Sequence, residues 1–237
     1  LSPAANGALK MAMVKAVRDS VPQPHVKRIL DLAGQGSNLT TATATNERFV
    51  LAGTGVGGQG ALVNSYVNAG VPAYFLRNVV LAAATTIGAE GRIDIRDNGG
   101  SALLDMGGFD LTKTGAGVLQ LGLTSPLSNP GNFNVNAGTL LLEFGTDLGA
   151  PADKAINLAA GTGLAFFGNT ARTRWTVNAA TNTTIANNQD SVTIRYDGAI
   201  NLAGTTTIGG NGGTARSYAF YQPIAGAAGN LILNATG

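Results

Sequence analysis

The sequence predicts an all-β chain wound as a parallel β-helix behind a short N-terminal helical cap, and three observations carry that expectation. A turn-strand unit, Ala137-Gly-Thr-Leu-Leu-Leu-Glu-Phe-Gly145, returns in looser form as Ala160-Gly-Thr-Gly-Leu-Ala-Phe-Phe-Gly168. Recurrence of a unit at about 23 residues marks the coils of a solenoid. The composition agrees: 34 Gly, abundant Ala, Thr and Asn, and only 12% charged and 6% aromatic residues suit short strands closed by tight turns, because Gly and Asn accept positive φ and Thr packs well on a pleated surface. From Asn38 onward, turn residues break the chain into short apolar or alternating runs about every 8 to 12 residues, the spacing of an all-β architecture.

Residues 1–36 read differently from the rest. Asn6 is placed to cap a helix in which Leu9, Ala12, Met13, Ala16 and Val17 share one face and Lys15 and Arg18 lie opposite. Pro22 and Pro24 stop it, and a second helical or extended piece, Val26 to Ala33, ends at Gly34-Gln-Gly36. A basic amphipathic helix suits a membrane surface or a partner, and equally a cap over the open end of a solenoid; the cap is the expectation.

Residues 37–237 are expected to form the β-helix. Alternation or short apolar runs bounded by Gly, Asn, Asp and Pro place strands at Arg48–Leu51, Tyr74–Leu81, Gly91–Arg96, Ala102–Asp105, Gly117–Leu121, Asn132–Val135, Thr139–Phe144 and Ala155–Leu158. The same signals continue at Leu164–Phe167, Arg174–Val177, Thr183–Ile185, Ser191–Tyr196, Ala199–Leu202, Thr206–Ile208, Ser217–Tyr221 and Asn230–Leu233. Shorter phrases also repeat. Val-Asn-Ala occurs at 67, 135 and 177, Ile-Asn-Leu-Ala at 156 and 200, and Thr-Thr-Ile at 85, 183 and 206. At about 23 residues per coil this span makes about nine coils, on the order of 40 Å of rod at about 4.8 Å per coil. Leu140, Leu142, Phe144, Ile156 and Leu158 are expected to face inward, with Glu143 and Asn157 outward. Gly229 to Gly237 reads as the opening of another coil, so the chain is expected to be a piece of a longer one.

At 237 residues and 44% apolar content the chain can fill a continuous core. Its formal charge of +2 divides into +4 for residues 1–30 and −2 for the remainder. The body therefore lacks the basic stripe that phosphate binding needs, and no nucleic-acid partner is expected. The absence of cysteine excludes disulfides, thiolate metal sites and a Cys nucleophile, and suits a chain that crosses a membrane unfolded. No apolar run approaches the roughly 20 residues of a spanning helix, so no membrane span is expected in this chain.

One stretch resembles a known family. Gly115-Ala-Gly-Val-Leu-Gln-Leu-Gly122, followed by Gly131-Asn-Phe-Asn-Val-Asn-Ala-Gly-Thr-Leu-Leu-Leu142, resembles the passenger-associated transport repeat of bacterial autotransporters, whose pattern is Gly-x-Gly-x-Leu-x-Leu-x-Gly, a turn, then Gly-x-x-x-Val-x-x-Gly-x-Leu. The turn here, Leu123 to Pro130, lacks the family's Tyr-Thr-Gly, and the close match is confined to Gly115 to Leu142. The resemblance implies a right-handed β-helix exported to the outer cell surface or beyond, within an adhesin or surface fibre, whose repeats are stalk and carry no catalytic residues.

Chemistry-bearing patterns are few. Gly53-Thr-Gly-Val-Gly-Gly-Gln-Gly60 contains Gly-x-Gly-x-x-Gly after an apolar run, but the acid expected about 20 residues on is missing, so a solenoid turn is expected there and no nucleotide cofactor. Arg92, Asp94 and Arg96 alternate with Ile93 and Ile95, which puts the three charges on one outer side, either as a weakly paired solvated ladder or, with Asp97 and Asp105, as a start for a lyase-like site. The single histidine, His25, cannot supply a two-His metal site, and Gly209-Gly-Asn-Gly-Gly213 lacks the Asp of calcium-binding repeats, so no metal is expected. Trp175, Tyr218 and Tyr221 offer aromatic surface for a glycan, although aromatics on strands are more often core. The expectation is a non-enzymatic stalk, fibre or adhesin scaffold whose contacts are homotypic, with neighbouring coils, or with a surface glycan; a polysaccharide lyase or phage-type depolymerase is the alternative.

Overall fold

The computed structural model describes residues 29–32, 48–67, 76–96, 102–123, 127–143, 146, 148–149, 151, 153–168, 172–188, 193–209, 217–226 and 229–234. Among them the chain is a right-handed parallel β-helix with three faces, and every strand pairing is parallel. The expected helix from Asn6 to Pro22, and His25, lie outside the described residues. Leu30–Asp31, on the N-terminal side of the expected domain boundary, is already a strand of the first face.

The first face stacks nine strands, in order Leu30–Asp31, Leu62–Asn64, Asn78–Ala89, Leu111–Thr114, Phe133–Val135, Ala155–Leu158, Thr176–Ala179, Ile200–Leu202 and Ile224–Ala225. The second stacks seven: Ile93–Arg96, Val118–Gly122, Thr139–Glu143, Gly163–Phe167, Thr183–Asn187, Thr205–Gly209 and Asn230–Asn234. The third face is less regular, with Arg172–Thr173, Thr193–Tyr196 and Ser217–Phe220 at one end. At the other end Arg48–Gly53 and Leu103–Asp105 flank the first residues of Asn78–Ala89. That long strand therefore belongs to two faces and turns the corner at residues 82–84.

Register partners Thr85, Leu111, Phe133, Ile156, Val177, Ile200 and Ile224 mark successive turns of unequal length, the longest from Thr85 to Leu111 and the shortest from Ile156 to Val177. The period read from the sequence is thus a mean, and the opening repeat shows how the chain departs from it. Gly138 and Gly161, equivalent positions of the two copies, both hold positive φ, 66° and 76°, at the turn before their strands. The strands themselves pair Leu140 with Leu164 and Leu142 with Phe166, one position further on than the glycines predict. The extra residue is Thr162, buried, with its hydroxyl donated to the Ala159 carbonyl at 2.7 Å. Two other repeats are in register: Ile156 and Ile200 both pair with Val177, and Thr183 pairs with Thr206.

Side chains stack like on like along the rod. On the second face one inward column runs Ile93, Leu119, Leu140, Leu164, Ile185, Ile208 and Leu233, and its members down to Ile208 are no more than 2% exposed. Fully burying each such aliphatic side chain stabilises by roughly 1.5–3 kcal/mol, so a column running the length of the rod joins its coils into one core.

Candidate functional site

A group of charges lies on the outer side of the second face, where alternation points Arg92, Asp94 and Arg96 away from the inward Ile93 and Ile95. The Arg92 guanidinium grips Asp94 with two bonds, Nε to Oδ1 at 2.6 Å and Nη2 to Oδ2 at 2.8 Å. Asp94 has no exposure, so the solvated ladder expected here is corrected. Its register partner Gln120, in the next coil, is buried as well. Arg96 reaches past Gly122 to Glu143, with Nη1 2.8 Å from Oε2. Gln120 Nε2 donates to the same Glu143 oxygen. The absence of a side chain at Gly122 makes this reach feasible: a Cβ there would stand 2.8 Å from the Arg96 Cβ and 3.4 Å from Glu143 Oε2.

Glu143, expected to turn out to solvent, is only 3% exposed. Alternation places it outside the core correctly, but is blind to the arginine two coils away that covers it. Burial raises the pKa of Glu143 above the usual carboxylate range, against the lowering effects of Arg96, Gln120 and Arg92. Burial also dominates at Asp94 and raises it, opposed by the Arg92 hydrogen bonds and by the charges of Arg92 and Arg96. Carboxylates with raised pKa beside guanidinium groups are the raw material of acid-base chemistry. Here both carboxylates accept bonds from their own chain, and the group fastens three successive coils.

The aromatic candidates are not brought together. Trp175 is wholly buried, its indole N–H donating to the Leu148 carbonyl at 3.1 Å and its ring 5.4 Å from Phe133, so it is a core residue, the more usual place for an aromatic on a strand, and offers no surface to a glycan. The Tyr218 hydroxyl donates to the Gly209 carbonyl and accepts from the Asn187 N–H at 2.8 Å, while its ring lies parallel to Phe220. Tyr221 is 59% exposed, with the Arg195 guanidinium 4.3 Å from its ring centre and Arg195 in turn bound to Asp197 at 2.6 Å. Asp105 lies on the third face and accepts from the Asn129 amide and the Gly107 N–H, which lower its pKa. Residues 53–60 form a closed turn with a single 3-10 turn, Val56–Gly58, and lead into the strand Leu62–Asn64, so no helix follows the glycines there. Among the described residues no group of three or more His, Asp or Glu is arranged to hold a metal ion; residues 210–213 lie outside them.

Two further polar features carry no motif in the sequence. Lys113 shares an inward column with Ile87 and Val135 and is 2% exposed. Its ammonium donates to the carbonyls of Thr114 at 3.0 Å and Gly115 at 2.5 Å. Burial lowers its pKa to about 8, with Glu90 pulling the other way. The alternation Leu111-Thr-Lys-Thr114 contains this signal, since period two puts Lys113 on the side of Leu111. The second feature is an asparagine ladder on the first face. Asn201 donates to Asn178 at 2.9 Å, Asn178 to Asn157 at 2.8 Å, Asn157 to Asn134 at 2.8 Å, and Asn134 to Asp110 at 3.4 Å. Every amide points the same way, and the series ends on a carboxylate that also accepts the Asn132 backbone and side-chain N–H groups.

Compared with known proteins, the chain matches no family model, no curated protein and no solved structure.

Proposed function

We propose that this chain is a non-enzymatic structural segment of a bacterial cell-surface or extracellular fibre or adhesin protein, serving as stalk or filament scaffold. The asparagine ladder carries the reading: four coils place the same polar side chain outward, and each amide bonds to the next coil. Side chains that elsewhere would meet a ligand serve the stacking of the rod. The resemblance of Gly115 to Leu142 to autotransporter transport repeats, together with the lack of cysteine, supports export and display at the surface. The rod is expected to leave a panel of acidic and neutral polysaccharides intact, with no new reducing ends and no unsaturated products on prolonged incubation. Release of either product, lost in the variant Glu143→Gln, would replace the scaffold reading with a carbohydrate-active one.

That second reading, a polysaccharide lyase or phage-type depolymerase, is favoured by one observation: Arg96 converges with Glu143, a carboxylate from two coils further on, beside the buried Asp94.

A further inference from the structure

The asparagine ladder of the first face ends on a carboxylate that orients more than one amide. Asp110 accepts from two amides of the next coil, Asn132 Nδ2 to Oδ1 at 3.1 Å and Asn134 Nδ2 to Oδ2 at 3.4 Å. Both amides therefore turn their Oδ1 atoms toward the following coil, where Asn132 accepts the Ala155 backbone N–H at 3.0 Å and Asn134 the Asn157 side-chain amide at 2.8 Å. A backbone N–H can only donate, so the Ala155 bond independently fixes the orientation of Asn132. Asn157, Asn178 and Asn201 repeat the same orientation. We propose that Asp110 is the polarity anchor of the ladder: its carboxylate orients Asn134 and each amide orients the next, so that the residue at position 110 is felt at Asn201, four coils away.

The ladder has two self-consistent states. If one amide were reversed by itself, oxygen would face oxygen on one side and N–H would face N–H on the other, and both bonds would be lost. The amides of Asn134, Asn157, Asn178 and Asn201 therefore all donate toward Asp110 or all donate away from it. A carboxylate accepts and has no proton to give, so the second state sets the Asn134 oxygen against the Asp110 oxygens, and Asp110 excludes it. At the other end Asn201 pairs with Ala225, whose methyl group neither donates nor accepts, so that end sets no direction. This polarity belongs to the rod itself and does not depend on the stalk reading.

Exchanging the acceptor between the two ends tests this. Asn201 is exposed, and at about 4.8 Å per coil it stands about 19 Å from Asp110, beyond contact and beyond the Debye length of about 8 Å at 0.15 M salt. Sites so far apart act additively unless something connects them. In the otherwise unaltered chain, Asn201→Asp puts a second acceptor-only group at the far end, and is expected to lower the folding equilibrium constant about fivefold in urea titrations at that salt concentration. In the Asp110→Asn background, where position 110 can donate as well as accept, the ladder is expected to turn round and donate to the new carboxylate, so the same change costs less than about twofold or stabilises. Asp110→Ala, which removes the acceptor, is expected to give the same result. Side-chain amide resonances report the turn directly, and Asn157 is more than one coil from either substitution. Its signals are expected to stay in place in Asn132→Ala, which retains the carboxylate, and to shift in Asp110→Asn/Asn201→Asp. An equal cost of Asn201→Asp in all three backgrounds, or an Asn157 side-chain amide unmoved in the double variant, would overturn the proposal.

Discussion

The two ends of the second face are built from the same kinds of residue and end in opposite conditions. At the first strand Ile93 and Ile95 have no exposure although, among the described residues, no strand of that face precedes them; at the last strand Leu231, Ile232 and Leu233 are 40%, 49% and 67% exposed. Ile93 and Leu233 stand at opposite ends of one column, so side-chain chemistry does not explain the contrast. What differs is that the first strand has an earlier coil against it, Gly91 lying close to the Tyr66 carbonyl. Near the first strand, Asn64 donates to the Arg92 carbonyl at 2.9 Å and accepts from the Glu90 and Gly91 N–H groups, and the Arg92–Asp94 and Arg96–Glu143 pairs cover the outer side. The last strand has its ladder to Thr205–Gly209 and lies in a stretch, residues 217–237, that carries no charge.

The largest break in that contrast comes from the charged cover. Arg96→Met leaves Glu143 buried without its cation and is expected to cost about 3–5 kcal/mol in urea unfolding. Arg96→Met with Glu143→Leu is expected to recover most of it, because the buried charge itself is then gone. Next comes the column. Ile93→Ala is expected to cost about 2–5 kcal/mol, whereas Leu233→Ala in the same column costs less than about 1 kcal/mol, since it is already in water. Equal losses would erase the distinction between the ends.

Lys113 sharpens the comparison through pH. Its ordinary pKa is 10.5 and its value in the fold is about 8, so between these limits the unfolded chain holds a proton that the fold does not. The contribution of Lys113 to stability then rises as pH increases from 8 to 10.5, at up to about 1.4 kcal/mol per pH unit, while buried Tyr196, whose pKa is raised, acts with the opposite sign near the upper limit. Lys113→Met is expected to abolish that slope, measured as urea midpoints at the two ends of this window. The smallest effect is in the ladder: Asn178→Ala removes two bonds at a half-buried position and is expected to cost about 1 kcal/mol.

The parallel β-helix is legible in the sequence because inward positions obey period two and turns recur at a near-constant spacing. Where similar phrases occupy similar places, as at Ile156 and Ile200 or Thr183 and Thr206, the repeat yields the register directly. It misleads where a phrase serves another face: Thr85-Thr-Ile lies on the first face and Thr183-Thr-Ile on the second, and Val135 belongs to the column of Leu158 whereas Val177 belongs to that of Ile156. Leu111–Thr114 is hidden because a lysine occupies an inward position, and Leu62–Asn64 because it is only 3 residues long and follows a glycine-rich turn. The candidate site is legible only in part. Alternation groups Arg92, Asp94 and Arg96, but their burial depends on Gln120 and Glu143, which stacking brings from the next coil and the one after it. Trp175 is hidden for the converse reason: a lone aromatic flanked by Arg174 and Thr176 carries no local sign of the Leu148 carbonyl that receives its N–H.

Amide hydrogen exchange, resolved by residue, tests the central contrast most directly. The hydrogen-bonded amides of Ile93–Arg96 are expected to be protected as strongly as those of the middle strands Thr139–Glu143 and Gly163–Phe167, and those of Asn230–Asn234 to exchange at least a hundredfold faster, an opening easier by about 2.7 kcal/mol. Equal protection at both ends, or faster exchange at Ile93–Arg96, would contradict the account.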